Sequence, residues 1–326
     1  MRYLFFALIL FLLSLQAVFY WGGNYIFDSS YIIRRYKLEK LLSKVNPSTI
    51  INIGDSATMT AIIPDKVDKS WINLSLNGGS FYEDYIMVER LLKTKHIPKT
   101  VYLSHHYKLI INTENCFRDI TLATNILDWN ELSNILEQPL LRSYYSPTNF
   151  VKGIQLSPYV ELILSKLYLL PEQSNFLKSS LYNSQYESNA KTLHHLEENK
   201  GQVYAGDLKE FPMEQVGSQT ENIFKVPEVS KYFLDKLLSK LSALGIRTIF
   251  IHPPYTFYYK ALFAQGNILQ NEKQFFERYE AKYPLFRYNS DIIYLPNDHF
   301  RDLGHTSEKG ALAYSEWLKQ SIAGKK

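Results

Sequence analysis

A single cysteine, Cys116, among 326 residues leaves no partner for an internal disulfide and no second thiolate for a cysteine-bound metal. Neither sign of charge dominates: 36 Lys and Arg face 32 Asp and Glu, a formal net charge of +4. Nucleic-acid binders usually concentrate basic residues on one face, so this balance gives no reason to expect a nucleic-acid partner. No glycine-rich nucleotide fingerprint follows an apolar run, which disfavours a dehydrogenase or a kinase. Internal repeats and low-complexity tracts are also lacking. With 46% hydrophobic and 21% charged residues, the composition is neither disordered nor fibrous. The length suits one domain of about 200 residues with insertions, or two small ones. Aromatic residues, by contrast, are plentiful: 25 are tyrosine, which suits a surface that handles sugars or meets a membrane interface.

Charge is missing altogether from Tyr3 to Trp21, YLFFALILFLLSLQAVFYW. As a helix this run spans about 28 Å, close to a bilayer core. Phe19-Tyr20-Trp21 resembles an interfacial belt, and Arg2 favours a start inside the cell with the body outside. Arg34, Arg35 and Lys37 count against that orientation. The rival, a cleaved signal peptide, has a poor cleavage pattern at Gln16-Ala17-Val18. The reading is an uncleaved signal anchor over residues 1–22 and a membrane-proximal connector over 23–46, which places the body on the periplasmic or extracellular face.

Five short apolar runs predict strands: Thr49–Ile53, Trp71–Leu76, Thr100–Leu103, Arg247–His252 and Asp291–Leu295. Continuous rather than alternating hydrophobicity suits strands covered on both faces, as in a parallel sheet. Between them, Ser80 and Glu83 form a candidate capping box ahead of Ile86, Val88, Leu91 and Leu92. Pro227 can open a helix that Gly245 stops, and a last helix covers about Glu308 to Ile322. Alternating strands and helices predict an α/β fold with helices on both faces of the sheet. The core is assigned to 47–110 and 230–326, and 111–229 is read as a largely helical insertion. Its helical patches are Glu131–Leu141 and Pro158–Leu170, and Asn183–Asp207 is read as a polar, partly mobile stretch.

Gly54-Asp55-Ser56 falls where the first strand ends and a helix begins. Glycine permits a tight turn, and the helix-terminal amides favour negative charge developing beside a serine placed there. Alone the triplet is weak, since such a serine is more often an N-cap. Far along the chain stands Asn297-Asp-His-Phe-Arg-Asp302-Leu-Gly-His305-Thr-Ser307, after the fifth predicted strand and before the last helix. Carboxyl ends of parallel strands gather at one edge, which can bring this loop to Ser56. His305 is then the candidate base and Asp302 the residue that orients it. Asp298 and His299 form an alternative pair in the same loop.

These two blocks resemble the SGNH, or GDSL-like, hydrolase superfamily. They look closest to its membrane-anchored, extracytoplasmic branch of alginate and peptidoglycan O-acetyltransferase-like proteins and the teichoic acid D-alanyl transfer protein. The resemblance covers residues 47–110 and 230–326. It implies a three-layer α/β/α sandwich with a five-stranded parallel sheet and the nucleophile, acid and base Ser56, Asp302 and His305. It also implies an oxyanion hole from Ser56 and a glycine amide in Asn73-Leu-Ser-Leu-Asn77-Gly78-Gly79, Gly78 before Gly79. The asparagine that the family often supplies after the third strand is missing; Tyr102-Leu-Ser104-His105-His106-Tyr107 stands there.

The candidates for lining a substrate cleft are Asn77, Ser104, His105, His252 and Tyr255, the last with Phe257, Tyr258 and Tyr259 as a sugar platform or as ordinary packing. No cofactor or metal is expected. The main functional expectation is a serine-dependent O-acyltransferase, most simply an O-acetyltransferase, acting on a surface or exported glycan through an acyl-Ser56. By resemblance it takes its acyl group from a polytopic membrane partner. An esterase with the same triad and a noncatalytic glycan-binding or assembly protein are the alternatives.

Overall fold

The computed structural model describes residues 29–111, 127–131, 149–151, 154–155, 182–204, 224–265 and 267–323, with scattered positions between 3 and 17. The chain divides into two compact units, Tyr36–Thr113 with His195–Lys326, and Met1–Arg35 with Glu114–His194. Cys116, Pro158–Leu170 and all but the first residue of Glu131–Leu141 lie outside the described residues, as does most of the apolar run 3–21. The described positions of that run are helical, and Tyr3, Phe6, Leu10, Phe11 and Leu13 expose their side chains. Among the described residues, no helix is long and apolar enough to cross a membrane.

Along the chain the elements are α1 (Ser29–Tyr36), β1 (Ile50–Gly54), α2 (Ser56–Ala61), α3 (Pro64–Val67) and β2 (Trp71–Asn73). They continue with α4 (Phe81–Lys93), β3 (Thr100–Ser104), α5 (Tyr107–Ile111), β4 (Asn149–Val151), β5 (Ile154–Gln155) and α6 (Tyr182–Glu198). The carboxyl-terminal part holds α7 (Glu228–Ala243), β6 (Arg247–Phe250), β7 (Tyr255–Thr256), α8 (Phe257–Gln265), α9 (Ile268–Lys282), β8 (Phe286–Tyr288), β9 (Tyr294–Leu295) and α10 (Glu308–Ala323). In the smaller unit β4 and β5 pair antiparallel.

The larger unit is built on a five-stranded sheet in the order β2-β1-β3-β6-β8, parallel at every pairing. That is the α/β fold predicted from the alternation of apolar runs and helices. Four of its strands coincide with predicted runs, and the fifth does not. Asp291–Leu295 supplies only β9, which pairs with β7 in a separate two-stranded ribbon. The sheet's last strand is β8, where Phe286 is buried, Arg287 exposed and Tyr288 half-buried. An edge strand with one open face alternates, so it lacks the continuous hydrophobicity of its central neighbours. The segment between β6 and β8 also folds as α8 and α9, two helices the sequence reading did not predict.

Ala61, Ile62 and Val67 from α2, α3 and the turn between them pack with Trp71, Tyr102, Tyr314 and Leu318, which seats α10 on one face of the sheet. Val101 and Leu103 alternate with Tyr102 and are fully buried from the other face, where α4 and α7 pack together. The capping box opens α4 as predicted, with the Ser80 N–H donating to Glu83 at 2.8 Å. At the β2 edge, Asn73 is fully buried, and its amide donates to the Ile62 carbonyl (3.0 Å) and the Met59 carbonyl (3.2 Å).

Of the polar stretch 183–207, the part through Glu198 is helical and residues 205–207 lie outside the described residues. It holds no proline or glycine before Gly201, and Leu196 is buried. The Asn73 N–H donates to the Lys200 carbonyl (2.9 Å), so the turn at Lys200 covers what would be the open edge of β2.

Candidate active site

The site begins at the junction of β1 and α2. Gly54 ends the strand with φ +149°, paired in register with Ser104 of β3. A Cβ at Gly54 would lie 1.7 Å from the Ser104 carbonyl oxygen, so only glycine lets the two strands close here. Asp55 then N-caps α2: one carboxylate oxygen accepts the Thr58 N–H (3.2 Å) and the other the His106 N–H (2.6 Å). Ser56 is the first helical residue, 9% exposed, and among the described residues its N–H has no acceptor.

The carboxyl-terminal loop reaches this serine as the sheet-edge argument requires. Phe300 anchors it in the core, and the Thr306 N–H donates to the Thr60 hydroxyl on α2 (3.3 Å). His305 Nε2 lies 2.8 Å from Ser56 Oγ, and its Nδ1 lies 2.8 and 2.9 Å from the two oxygens of Asp302. The carboxylate assigns the ring proton to Nδ1, which leaves Nε2 free to accept from the serine. Asp302 also accepts the N–H groups of Gly304 (2.8 Å) and His305 (2.9 Å). Burial would raise its carboxyl, but the His305 hydrogen bond and charge, with the two N–H groups, outweigh that and bring it down to about 2. The alternative pair points elsewhere: His299 bonds Asp298 (2.9 Å), which is 62% exposed and also paired with Lys309.

Two of the oxyanion candidates separate cleanly. Gly79 packs so closely on β1 that a Cβ would meet the Gly54 carbonyl oxygen at 2.5 Å, and its N–H is already given to the Leu76 carbonyl (3.0 Å). Gly79 is therefore a packing residue and not a donor. Gly78, with φ +61°, turns the same loop beside the end of β1. Among the described residues its N–H has no acceptor, so it and Ser56 retain open backbone donors. Asn77, partly exposed, stays at the rim of this turn.

The remaining cleft candidates are corrected by burial. Ser104 is fully buried, and the Thr58 hydroxyl donates to its carbonyl (2.9 Å) and lies 2.8 Å from its hydroxyl. His252 is packed in the core with its Nε2 3.2 Å from the Tyr288 hydroxyl, and burial lowers it to about 3. Tyr255 is no sugar platform either. It is 1% exposed, accepts the Tyr107 N–H (3.1 Å), and sits in an aromatic cluster with Tyr107, Tyr259 and Phe263. A hydroxyl-bearing ring next to a strand end fits either packing or a cleft, and here helix α8 closes over it.

His105 lies beneath the site rather than in it. It is 1% exposed, with Nε2 2.5 Å from Asp84 and Nδ1 4.0 Å from Asp55. Burial opposes charge on the ring, but the Asp84 contact and the nearby Asp55 carboxylate hold it above the usual imidazole range. His105 thus stands between two buried carboxyls under the nucleophile turn. Its stabilisation is complete below the ordinary histidine value of 6.5 and is lost as pH rises through the higher folded value. Replacing His105 with alanine leaves those carboxyls uncompensated, and a urea titration should record a loss of about 3–5 kcal/mol.

His106 is the residue that sequence reasoning passed over for its neighbour. Its ring packs among Tyr107, Tyr255 and Tyr259, with centroids 5.0–5.3 Å away, and is within electrostatic reach of His305 and Asp302. The only available signal was the side-chain alternation at the end of β3, which sends consecutive histidines to opposite sides without saying which side is which. Compared with known proteins, the chain matches no family model and no curated protein.

Proposed function

We propose that this protein is an extracytoplasmic, serine-dependent O-acyltransferase of the SGNH type, transferring a small acyl group to a hydroxyl of an envelope or exported polysaccharide. The observation that carries the reading is the continuous hydrogen-bonded chain from Ser56 Oγ through His305 to Asp302, set at the carboxyl edge of a parallel sheet. Ser56 attacks the acyl carbonyl carbon while its proton passes to His305 Nε2, and ionised Asp302 stabilises the charge gained by the ring. The carbonyl electron pair moves onto oxygen, opposite the open N–H groups of Ser56 and Gly78. Collapse expels the leaving group, which takes the proton from His305. His305 next withdraws a proton from an acceptor hydroxyl, whose oxygen attacks the acyl carbon; as the acyl C–O bond to Ser56 breaks, His305 returns that proton to Ser56 Oγ.

The apolar side chains exposed at Phe6, Leu10, Phe11 and Leu13 support anchorage of the amino-terminal run in the cell membrane. An anchor of that kind would hold the site near a membrane-embedded acyl-transfer partner at high effective concentration.

The test is to give the full-length protein in detergent an aryl acetate and follow its intact mass, then add candidate oligosaccharides. An acetyl adduct that moves to sugar supports the proposal. Release to water in the presence of every acceptor would favour an esterase, and no adduct on the folded protein would overturn acyl transfer.

Asp302→Asn should keep the fold while favouring the wrong ring tautomer, lowering the acylation rate roughly 10⁴-fold in a stopped-flow assay. The same change bears on acid stability. Because Asp302 is depressed from 3.8 to about 2, its contribution is present above 3.8 and lost as pH falls through about 2. An acid-unfolding curve of the asparagine variant should lack that component.

A further inference from the structure

Nearly every buried polar group around Ser56 is committed. Asp55 accepts from Thr58 and His106, Ser104 is engaged with Thr58, Gly79 gives its N–H to Leu76, and His105 is bonded to Asp84. Among the described residues two side-chain atoms stand out, Thr306 Oγ1 and His106 Nε2, both buried without a hydrogen-bond partner. Of the two groups only His106, 6% exposed, belongs to the turn that Asp55 fixes. The tautomer follows from the other nitrogen: the Lys108 N–H donates to Nδ1 at 3.4 Å, so the proton of the neutral ring belongs on Nε2. The backbone N–H of the same residue is fixed by Asp55, immediately before Ser56, which holds the residue at the nucleophile turn, and its ring interacts electrostatically with His305 and Asp302. Leaving such a buried donor unmade is costly, so an unsatisfied one next to the triad calls for an acceptor that arrives with the substrate.

We infer that His106 is a catalytic hydrogen-bond donor whose Nε2–H bonds to the acyl oxygen as Ser56 adds to the carbonyl carbon, completing an oxyanion site with the N–H groups of Ser56 and Gly78. This rests on the acyl-transfer reading above. The proton stays on His106 throughout; the one proton that moves is that of Ser56, which goes to His305 and then to the leaving group. Burial keeps the ring uncharged, lowering it to about 3, and the charge of Lys108 acts in the same direction. A neutral donor does not compete with His305 as a base, and a rigid site of this kind needs no reorganisation when the oxyanion forms. The clamp of Tyr107, Tyr255 and Tyr259 around the ring gives the positional rigidity that such a donor requires.

The experiment measures the burst of nitrophenol from 4-nitrophenyl acetate with the full-length wild type, H106A and H106Q, with S56A as the blank. Glutamine can place an amide N–H near the position of Nε2, whereas alanine cannot. The expected result for H106A is an acylation rate constant about 10²–10³-fold lower with KM little changed, and for H106Q recovery of a substantial part. A wild-type rate in H106A, or a glutamine variant as slow as alanine at equal thermal stability, would overturn the inference. Nitrogen NMR of labelled histidine provides a check that needs no turnover and no variant. A neutral Nε2–H tautomer between pH 5 and 8 is expected, and a proton on Nδ1 or a charged ring would sink it. If the wild type shows no burst, acyl transfer itself fails and this role fails with it. A wild-type burst lost in S56A but intact in H106A removes only the role of His106.

Discussion

Serine 56 replaced by alanine is expected to leave the protein folded and to abolish its acylation. The substitution deletes one oxygen, whose hydrogen bond in the structure is to His305 Nε2 at 2.8 Å. A hydroxyl with one such hydrogen bond contributes about 1 kcal/mol, so the thermal midpoint should move by only a few degrees. The effect on chemistry is of another order. Without the nucleophile no covalent adduct can form, and turnover of an activated ester should fall roughly 10⁴–10⁶-fold, leaving only what the oxyanion donors contribute. Intact-mass measurement after exposure to aryl acetate checks this directly. An acetyl adduct of undiminished yield in S56A would mean that another side chain is the nucleophile and that the Ser56–His305 contact serves only structure. Removing His305 instead should give a loss of similar size, because the two residues act as one unit and their separate effects do not add.

The second large effect concerns folding. Gly54→Ala would put a methyl group 1.7 Å from the Ser104 carbonyl oxygen, at a φ of +149° that side chains rarely adopt. The obstacle is backbone in the centre of a parallel sheet, held by five consecutive residue pairs between β1 and β3, so no flexible side chain can move aside. Relief requires the strands to separate where both are buried. The expected cost exceeds about 4 kcal/mol, which belongs to the exceptional class of single substitutions. Urea or thermal unfolding of G54A should show a drastically lowered midpoint or no cooperative transition. A loss below about 1 kcal/mol would show that the nucleophile turn is not built as described. Comparison with S56A separates the roles of adjacent residues, one carrying the proposed chemistry and the other permitting the turn that presents it.

What could be read from the sequence alone was whatever local chemistry specifies. Apolar runs with no alternation announced β1, β2, β3 and β6 as covered parallel strands, and Ser80 with Glu83 announced the start of α4. The candidate triad was legible because each half has a local signature: a glycine-acid-serine turn after a strand, and an acid three residues before a histidine ahead of a helix. A parallel sheet has only one carboxyl edge, and that topological fact was enough to place the halves together.

Tertiary structure decided everything that depends on which side a residue faces. His105 and His106 are equivalent as letters. Asp84 captures the first from α4, while Tyr255 and Tyr259 pack around the second and leave its Nε2 without a partner among the described residues. The resemblance ranks Gly78 before Gly79 as donor, and the fold supplies a physical reason, because the Leu76 carbonyl takes the N–H of Gly79. The edge strand Phe286–Tyr288 is hidden because half of it is open to solvent, and Tyr255 stays open between platform and packing because the helix that covers it contains no distinctive signal. In each case the deciding partner lies far away in sequence. The free energy that selects one orientation is set by burial and hydrogen bonding across the fold, which no local pattern encodes.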